Sequence, residues 1–439
     1  MKPIIFHIDV NSAFLSWEAT YRMRELGETT DLREIACVIG GSEASRHGIV
    51  LAKSESAKKF GIVTGEPLVD ARRKCPNLVT VPPRFPIYVK YSNQLMELLQ
   101  DYSPDICQYS IDESFVDMTG TKKLFGSPIE AATKIKDRVY KELGFTVNVG
   151  ISTNRLLAKM ASDFKKPNLV HTLFPEEVPT KMWPLPVSEL FFVGRQTTKR
   201  LHALGIFTIG DLAQTDKKII HYNLKSHGDV IWEFANGICD NMENVANKEK
   251  QPANKGYSNE TTLPFDVTDA DTAKAILLSL TETVSYRVRA DKSYISVVSV
   301  SIVDNEFNST SRQVTLDSST NVTNEIYDHV CQLFDELWKG APIRLLGVHT
   351  SKATSEQVRQ YSLFEKQNVE KLSKLDSAID AIRQKYGEDS IKRASFVTTD
   401  NLTSDTPNKS THTDNHKPAI QHMTGGLNKA KRETSHREE

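Results

Sequence analysis

The sequence predicts a multidomain α+β protein, and three observations carry that prediction. Residues 1–182 mix strand-like apolar runs with helical patterns, and 183–243 hold short helical segments with no convincing strand. Residues 257–352 then run in the order β-α-β-β-α-β. At 439 residues the chain is too long for one compact core, which points to two to four domains.

In the first block IIFHID, IACVIGG and VNVGIS read as strands, and Ile129 to Leu143 as a helix. Within it, about 40–85 is rich in Gly, Lys and Pro and looks like an inserted small subdomain. The helical segments of 183–243 are broken at Gly194, Gly205, Gly210 and Gly228. Residues 244–256 are polar and contain a proline, as a linker does. In the third block a strand around Tyr257 to Leu263 precedes a helix from Ala270 to Arg289. YISVVSVSIVD and SRQVTL follow as strands, then a helix from Val322 to Trp338 and the strand IRLLGVHTS. Two helices on one face of such a sheet leave the other face for a ligand. Val369, Leu372, Leu375, Ile379, Ile382 and Tyr386 recur at helical spacing and predict one amphipathic helix. From about 398 onward apolar residues nearly vanish, so the tail is expected to be disordered.

Composition narrows the function classes. Lys plus Arg number 55 against 56 Asp plus Glu, a net charge of −1, so any nucleic-acid contact must rest on local patches. No apolar run is long enough for a membrane span, and MKPIIFHIDVNS lacks the apolar core of a signal peptide. Five scattered cysteines with no CxxC pattern indicate neither a zinc site nor a disulfide framework, and fit a reducing cytoplasm.

Three acids carry the chemistry. Asp9 ends the apolar run IIFHID just before a helix start, where a strand delivers a carboxylate to its C-terminal edge. In YSIDESFVDMTG, Asp112 and Glu113 are adjacent, and the period of two would place them on opposite faces of an ideal strand. A bend or hairpin tip would bring both to one cation. Carboxylates in an apolar strand are costly unless a metal or cation compensates them. Taken singly, Asp9 reads as a helix-capping residue and Asp112 and Glu113 as solvated acids of an edge strand. Together they fit two Mg²⁺ ions about 4 Å apart, activating a 3′-hydroxyl and stabilising a leaving pyrophosphate.

These residues sit in pieces that resemble the Y-family (translesion) DNA polymerases of the UmuC/DinB type. IDVNSAF, LAKSESAKKFGI, YSIDESFVDMTG, VGISTNRLLAKMASDFKKPN and LHALGIFTIGDLA occur in that order, and the resemblance spans about 3–350. Ser12 and the AKSESAKKFGI segment lean towards the UmuC-like branch. The resemblance implies a right-hand polymerase. Residues 1–182 would be a ferredoxin-like palm with small fingers at about 40–85, and 183–243 a helical, helix-hairpin-helix-like thumb. Residues 257–352 would be the DNA-gripping little finger.

By position the resemblance implies that Asp9, Asp112 and Glu113 are the catalytic metal ligands, with the Val10 carbonyl completing one metal's set. Phe14 falls at the steric gate, where a ring under the sugar excludes a 2′-hydroxyl. Lys58 and Lys159 match basic contacts to the triphosphate of an incoming deoxynucleotide. Two departures stand out. Glu55 lies where many members have a Tyr, which leaves Lys53 as an alternative contact. In FFVGRQTTKRL, Gly194 matches the second glycine of a DNA-backbone clamp, but Phe192 replaces the first. Arg195, Lys199 and Arg200 remain candidates for DNA phosphates. Acids outnumber bases over 250–360, so a DNA-gripping sheet face would have to concentrate Arg287, Lys292, Arg312, Arg344 or their neighbours.

Gln360-Tyr361-Ser362-Leu363-Phe364 resembles the bacterial sliding-clamp-binding pentapeptide. Leu363 and Phe364 would fill an apolar pocket while Gln360 orients the segment. The whole reads as a template-directed, low-fidelity translesion DNA polymerase, cytoplasmic and monomeric, acting on primed DNA in damage tolerance and the SOS response. Two rivals are a nucleotide cyclase, which would need neither hairpin unit nor clamp peptide, and a non-catalytic DNA- or clamp-binding factor derived from such a polymerase.

Overall fold

The computed structural model describes residues 2–41, 46, 48–239, 254–356, 369–387 and 390–394. Most of the expected linker, the clamp-like peptide with Gln360, Leu363 and Phe364, and the tail lie outside the described residues. The chain divides into one unit within Met1–Gly41 and Ile49–Glu249 and another within Ser42–Gly48 and Lys250–Gln421.

The first unit begins β1 (Ile5–Val10), α1 (Ala13–Glu25), β2 (Cys37–Gly40), β3 (Val50–Lys53), α2 (Glu55–Lys58), α3 (Leu68–Lys74) and β4 (Val79–Val81). It continues α4 (Phe85–Gln100), β5 (Ile106–Gln108), β6 (Glu113–Asp117), α5 (Lys122–Phe125), α6 (Pro128–Arg138), β7 (Val147–Ser152), α7 (Arg155–Asp163) and β8 (Val170–Thr172). The main sheet has the order β5-β6-β1-β7-β8, so β1 is its centre. Period two then sorts its side chains. Phe6, Ile8 and Val10 join Tyr88 and Leu95 of α4 and Ile135 of α6 in one apolar cluster. His7 and Asp9 point to the opposite face, where α7 packs. Gly150 permits that approach: a Cβ there would run into the Ala158 carbonyl and the Ser162 amide of α7.

The run IACVIGG does not join the main sheet. As β2 it pairs antiparallel with β3 and parallel with β4 in a separate three-stranded sheet over Val38, Val50, Ala57, Ile62 and Leu68. The helix expected over Ile129 to Leu143 is α6 followed by a π-helical turn, Val139–Leu143.

Three helices follow: α8 (Arg195–Ala203), α9 (Ile209–Gln214) and α10 (Lys217–Ala235). Gly205 ends α8 as expected, at φ 80°, with the Ile206 amide donating to the Leu201 carbonyl at 3.0 Å. Gly210 and Gly228 do not break helices; both lie inside them. Gly210 sits against Trp183 and Gly228 against the Ile220 carbonyl, so each marks close packing. The interruption in α10 falls instead at Lys225, which takes φ 55°.

The second unit contains β9 (Ser258–Val267), α11 (Ala270–Ala290), β10 (Ile295–Asp304), β11 (Ser309–Thr320), α12 (Thr323–Leu337), β12 (Ile343–Ser351) and α13 (Val369–Tyr386). The expected β-α-β-β-α-β order is observed, as an antiparallel sheet β11-β10-β12-β9 with α11 and α12 packed on one face. The other face carries Ser299, Ser301, Ser309, Ser311, Gln313 and Thr262, with Glu260 its single carboxylate among these paired positions. Arg287, Lys292 and Arg312 are not on it. Arg287 belongs to α11 and donates to the Ser258 carbonyl, Lys292 sits in the following turn, and Arg312, opposite core Val300, pairs with Glu336. Arg344 lies over the Phe307 ring at 4.7 Å.

Helix α13 forms where periodicity placed it, but only part of its apolar stripe is covered: Val369, Leu372 and Ile379 are half-buried. Leu375, Ile382 and Tyr386 are exposed, whereas Asp376 is buried. Asp376 accepts from the Thr323 amide at the start of α12 and from Arg289, and Asp380 also binds Arg289. Among the described residues no helix is long and apolar enough to cross a membrane.

Candidate active site

Asp9 and Glu113 are directly opposite each other in the antiparallel register of β1 and β6, so both side chains leave the same sheet face. Asp112 lies just before β6, in a turn where the Tyr109 and Ser110 amides donate to the Glu113 carbonyl at 2.9 and 3.1 Å. This is the bend that two adjacent acids required. The Val10 amide donates to the Asp112 carbonyl at 3.1 Å, which ties the turn to the end of β1. Ser12 stands at the N-cap of α1 at φ 46° and makes no side-chain cap.

Each acid has its own polar partner. The Lys159 ammonium donates to Glu113 Oε2 at 2.6 Å, and the Ser110 hydroxyl donates to Asp112 Oδ1 at 2.6 Å. Lys166 binds Asp9 and, at 2.9 Å, Asp163. Among the described residues no group of three or more His, Cys, Asp and Glu side chains closes around one point.

Burial pushes the Asp9 carboxyl up to about 6; Lys166 opposes the rise while Glu113 and Asp112 add to it. Burial works on Glu113 in the same sense, but His7 and Lys159 outweigh it and hold Glu113 at about 2. His7 Nε2 is 3.5 Å from Glu113 Oε2, and its Nδ1 meets the Ser162 hydroxyl at 2.8 Å. Burial depresses the His7 pKa and favours the neutral ring. Burial would depress Lys166 too, yet Asp9 and Asp163 keep it above an ordinary lysine.

The donor set suits a hard divalent cation. It offers carboxylate oxygens from two paired strands and a hairpin tip, and mutual repulsion already raises Asp9. The lysines now compensate charge that such a cation would otherwise compensate.

The other predicted residues are placed as follows. Phe14 on α1 is half-buried, its ring stacked on Tyr88 at 4.8 Å and 15°. Lys159 is buried on α7, as its apolar neighbours suggested, with its ammonium over the Tyr109 and Phe191 rings. Lys58 is exposed on α2 and lies 3.6 Å from Glu55, so that acid pairs with a neighbouring lysine. Lys53 donates to the Ile62 carbonyl at 2.6 Å. Gly194 precedes α8 at an ordinary φ of −89°, and Arg195, Lys199 and Arg200 are exposed on that helix. The left-handed conformation falls on Phe192, at φ 73°, where a glycine was missing from the expected pattern.

Lys166 and His7 were not singled out from sequence. His7 was legible in principle: a lone polar residue two before Asp9 in an apolar strand shares its face. Lys166 approaches Asp9 only through the packing of α7 on the sheet.

Residues 8–163 match the impB/mucB/samB family, 175–206 the IMS family HHH motif, and 254–363 the impB/mucB/samB family C-terminal domain. The chain belongs to this family, the Y-family DNA polymerases. It is 47% identical over 394 residues to DNA polymerase IV of Clostridium acetobutylicum, covering 90% of this chain and 98% of that one. DNA polymerase IV 2 of Bacillus subtilis is 36% identical across 90% of this chain and 95% of its own. Among solved structures, a Y-family DNA polymerase chimera aligns with a TM-score of 0.68 at 22% identity, covering 80% of this chain and 100% of that one. The insertion ternary complex of Dbh DNA polymerase aligns at 0.52 and 24% identity, over 80% of this chain and 100% of that one. At those identities the two structures speak for the fold.

Proposed function

We propose that the chain is a template-directed, DNA-dependent DNA polymerase for low-fidelity translesion synthesis, joining deoxynucleotides to a primer with two Mg²⁺ ions. The observation that carries this reading is the pairing of Asp9 with Glu113 across β1 and β6, with Asp112 at the adjoining hairpin tip. Y-family polymerases generally depend on a divalent metal, and here Asp9, Asp112, Glu113 and the Val10 carbonyl would hold it. Bound magnesium would activate the 3′-hydroxyl and neutralise the departing pyrophosphate.

The chain's own residues do the rest. Lys159, and Lys58 on α2, offer ammonium groups to the triphosphate, and Lys159 already meets Glu113 at 2.6 Å. Phe14, backed by Tyr88, presents a flat ring that leaves no room for a 2′-hydroxyl. Gly194, Arg195, Lys199 and Arg200 at the start of α8 hold template or primer phosphates. The small β2–β4 unit exerts little shape selection on the nascent pair, hence the low fidelity and the role in damage tolerance and the SOS response.

Gln360, Leu363 and Phe364 dock on a sliding clamp. Their position, directly after the sheet of the second unit, and the near-neutral net charge of the chain both support a tether. We place the enzyme in the cytoplasm as a monomer, in keeping with five cysteines that form no disulfide.

Running-start primer extension with Mg²⁺ past a defined lesion tests the reading. Extension through the lesion is expected, and inability to extend even an undamaged primed template would sink it. Replacing Leu363 and Phe364 by Ala should remove clamp stimulation while sparing clamp-free synthesis; equal loss in both would refute the docking role.

A further inference from the structure

Behind Phe14 lies an ionic cluster around one buried carboxylate, which the polymerase reading does not use. Helix α1 presents Phe14 and Glu18 one turn apart, and the chain entering α4 presents Arg84 and Tyr88 one turn apart. The two pairs face each other. Phe14 stacks on Tyr88, while the Tyr88 hydroxyl lies 3.5 Å from Glu18 Oε2. Glu18 has no exposed surface, and Arg84 Nε donates to its Oε2 at 3.1 Å. Arg84 Nη2 also reaches Oε1, which accepts from Arg22 Nε at 2.7 Å.

A carboxylate buried among guanidiniums is a poor way to stabilise a fold, because apolar residues of similar volume are often as good or better. What such a cluster does supply is fixed geometry. Arg84 is also held over the Tyr21 ring at 4.5 Å, and its backbone is fixed at the N-cap of α4. Tyr88 is fully buried and touches Trp17 and Phe85 as well as Phe14. Its ring therefore has one plane available, and Phe14 takes its own plane from that stack.

We propose that Glu18 is a positioning residue which, through Arg84 and Tyr88, fixes the plane of Phe14 and so sets how sharply the enzyme rejects ribonucleotides. The inference rests on the reading of Phe14 as the sugar gate. Neither Glu18 nor Arg84 touches the nucleotide. Loosening them lets the Phe14 ring tilt, which admits a 2′-hydroxyl more than it disturbs a deoxyribose.

The test is the ratio of kcat/KM for a deoxynucleotide to that for the matching ribonucleotide in single-nucleotide primer extension. Phe14→Ala should abolish most of the ratio. Glu18→Gln and Arg84→Ala should each lower it about tenfold, the low end of what one pocket contact discriminates. The change should come mainly from better ribonucleotide use, and Arg84→Lys should restore part of the ratio. A merely structural role would depress both nucleotides alike and leave the ratio at its wild-type value, which would overturn the proposal. If Glu18→Gln does not fold, Arg84→Ala carries the test, since that side chain is partly exposed. An unchanged ratio in Phe14→Ala would instead overturn the gate reading.

Discussion

Lys166 binds Asp9 and Asp163 at once, so the acid at the end of β1 is compensated by a lysine that follows α7. The Lys166→Met variant leaves Asp9 buried beside Glu113 and Asp112 without that cation. Its carboxyl should then titrate above the present value of about 6. Because Lys166 is partly exposed, the cost to stability should be about 1–3 kcal/mol, less than for a fully buried pair. Carboxyl-resolved NMR titration and urea unfolding at neutral pH check both numbers, and Lys166→Arg should recover most of the loss.

Gly150 sets the distance between β7 and α7, and therefore the depth at which Lys159 meets Glu113. Gly150→Ala forces its Cβ into the α7 backbone. We expect about 2–3 kcal/mol of destabilisation from overpacking. Nucleotide incorporation should also weaken, seen as a raised KM, because Lys159 is displaced with its helix.

The most deeply buried residue of α13 is the polar Asp376, and its variants should show it. Asp376→Ala removes both the acceptor of the Thr323 amide and one of the two carboxylates that bind Arg289. Loss of about 3 kcal/mol is expected in the unfolding transition of the second unit. Leu375→Ser, on the exposed side, should cost almost nothing. The reverse ranking would mean that the apolar stripe is the true contact.

Acid should weaken the packing of α9 through Asp211. The Thr208 and Phe207 amides bond to this carboxylate and hold its pKa below 3.8. A depressed folded pKa contributes stability above the unfolded value, and that contribution is lost as pH falls through the folded one. Asp211→Asn should therefore unfold more readily than wild type at neutral pH, and the difference should shrink below about pH 4. Paired thermal melts across pH 3 to 7 would show a constant gap if Asp211 were uninvolved.

Much of this was legible in the sequence, for physical reasons that differ from element to element. Strand β1 alternates apolar and polar residues, so its faces and the placement of Asp9 could be read directly. Two adjacent acids demanded a bend, and the hairpin tip before Glu113 supplies it. Gly210 and Gly228 misled because a glycine inside a helix and a glycine ending one look alike in sequence; what distinguishes them is a neighbour, Trp183 or Ile220, that only the fold brings close. Helix α13 was half legible: its period is correct and Val369, Leu372 and Ile379 are partly covered, but Asp376 and Asp380 join that side because Arg289 on a distant helix meets them. Lys166 and the Glu18 cluster belong to the same class, as contacts between elements far apart in the chain.

We propose that Asp9, Asp112 and Glu113 act together as the metal-holding acids of the polymerase. Mg²⁺-dependent extension of a primed template by wild type, Asp9→Asn, Asp112→Ala and Glu113→Gln tests it most directly. We expect each substitution alone to reduce extension by at least about a thousandfold, with little further loss in the triple variant, as for groups that act as a unit. Near-normal extension by Asp112→Ala would rule that joint role out.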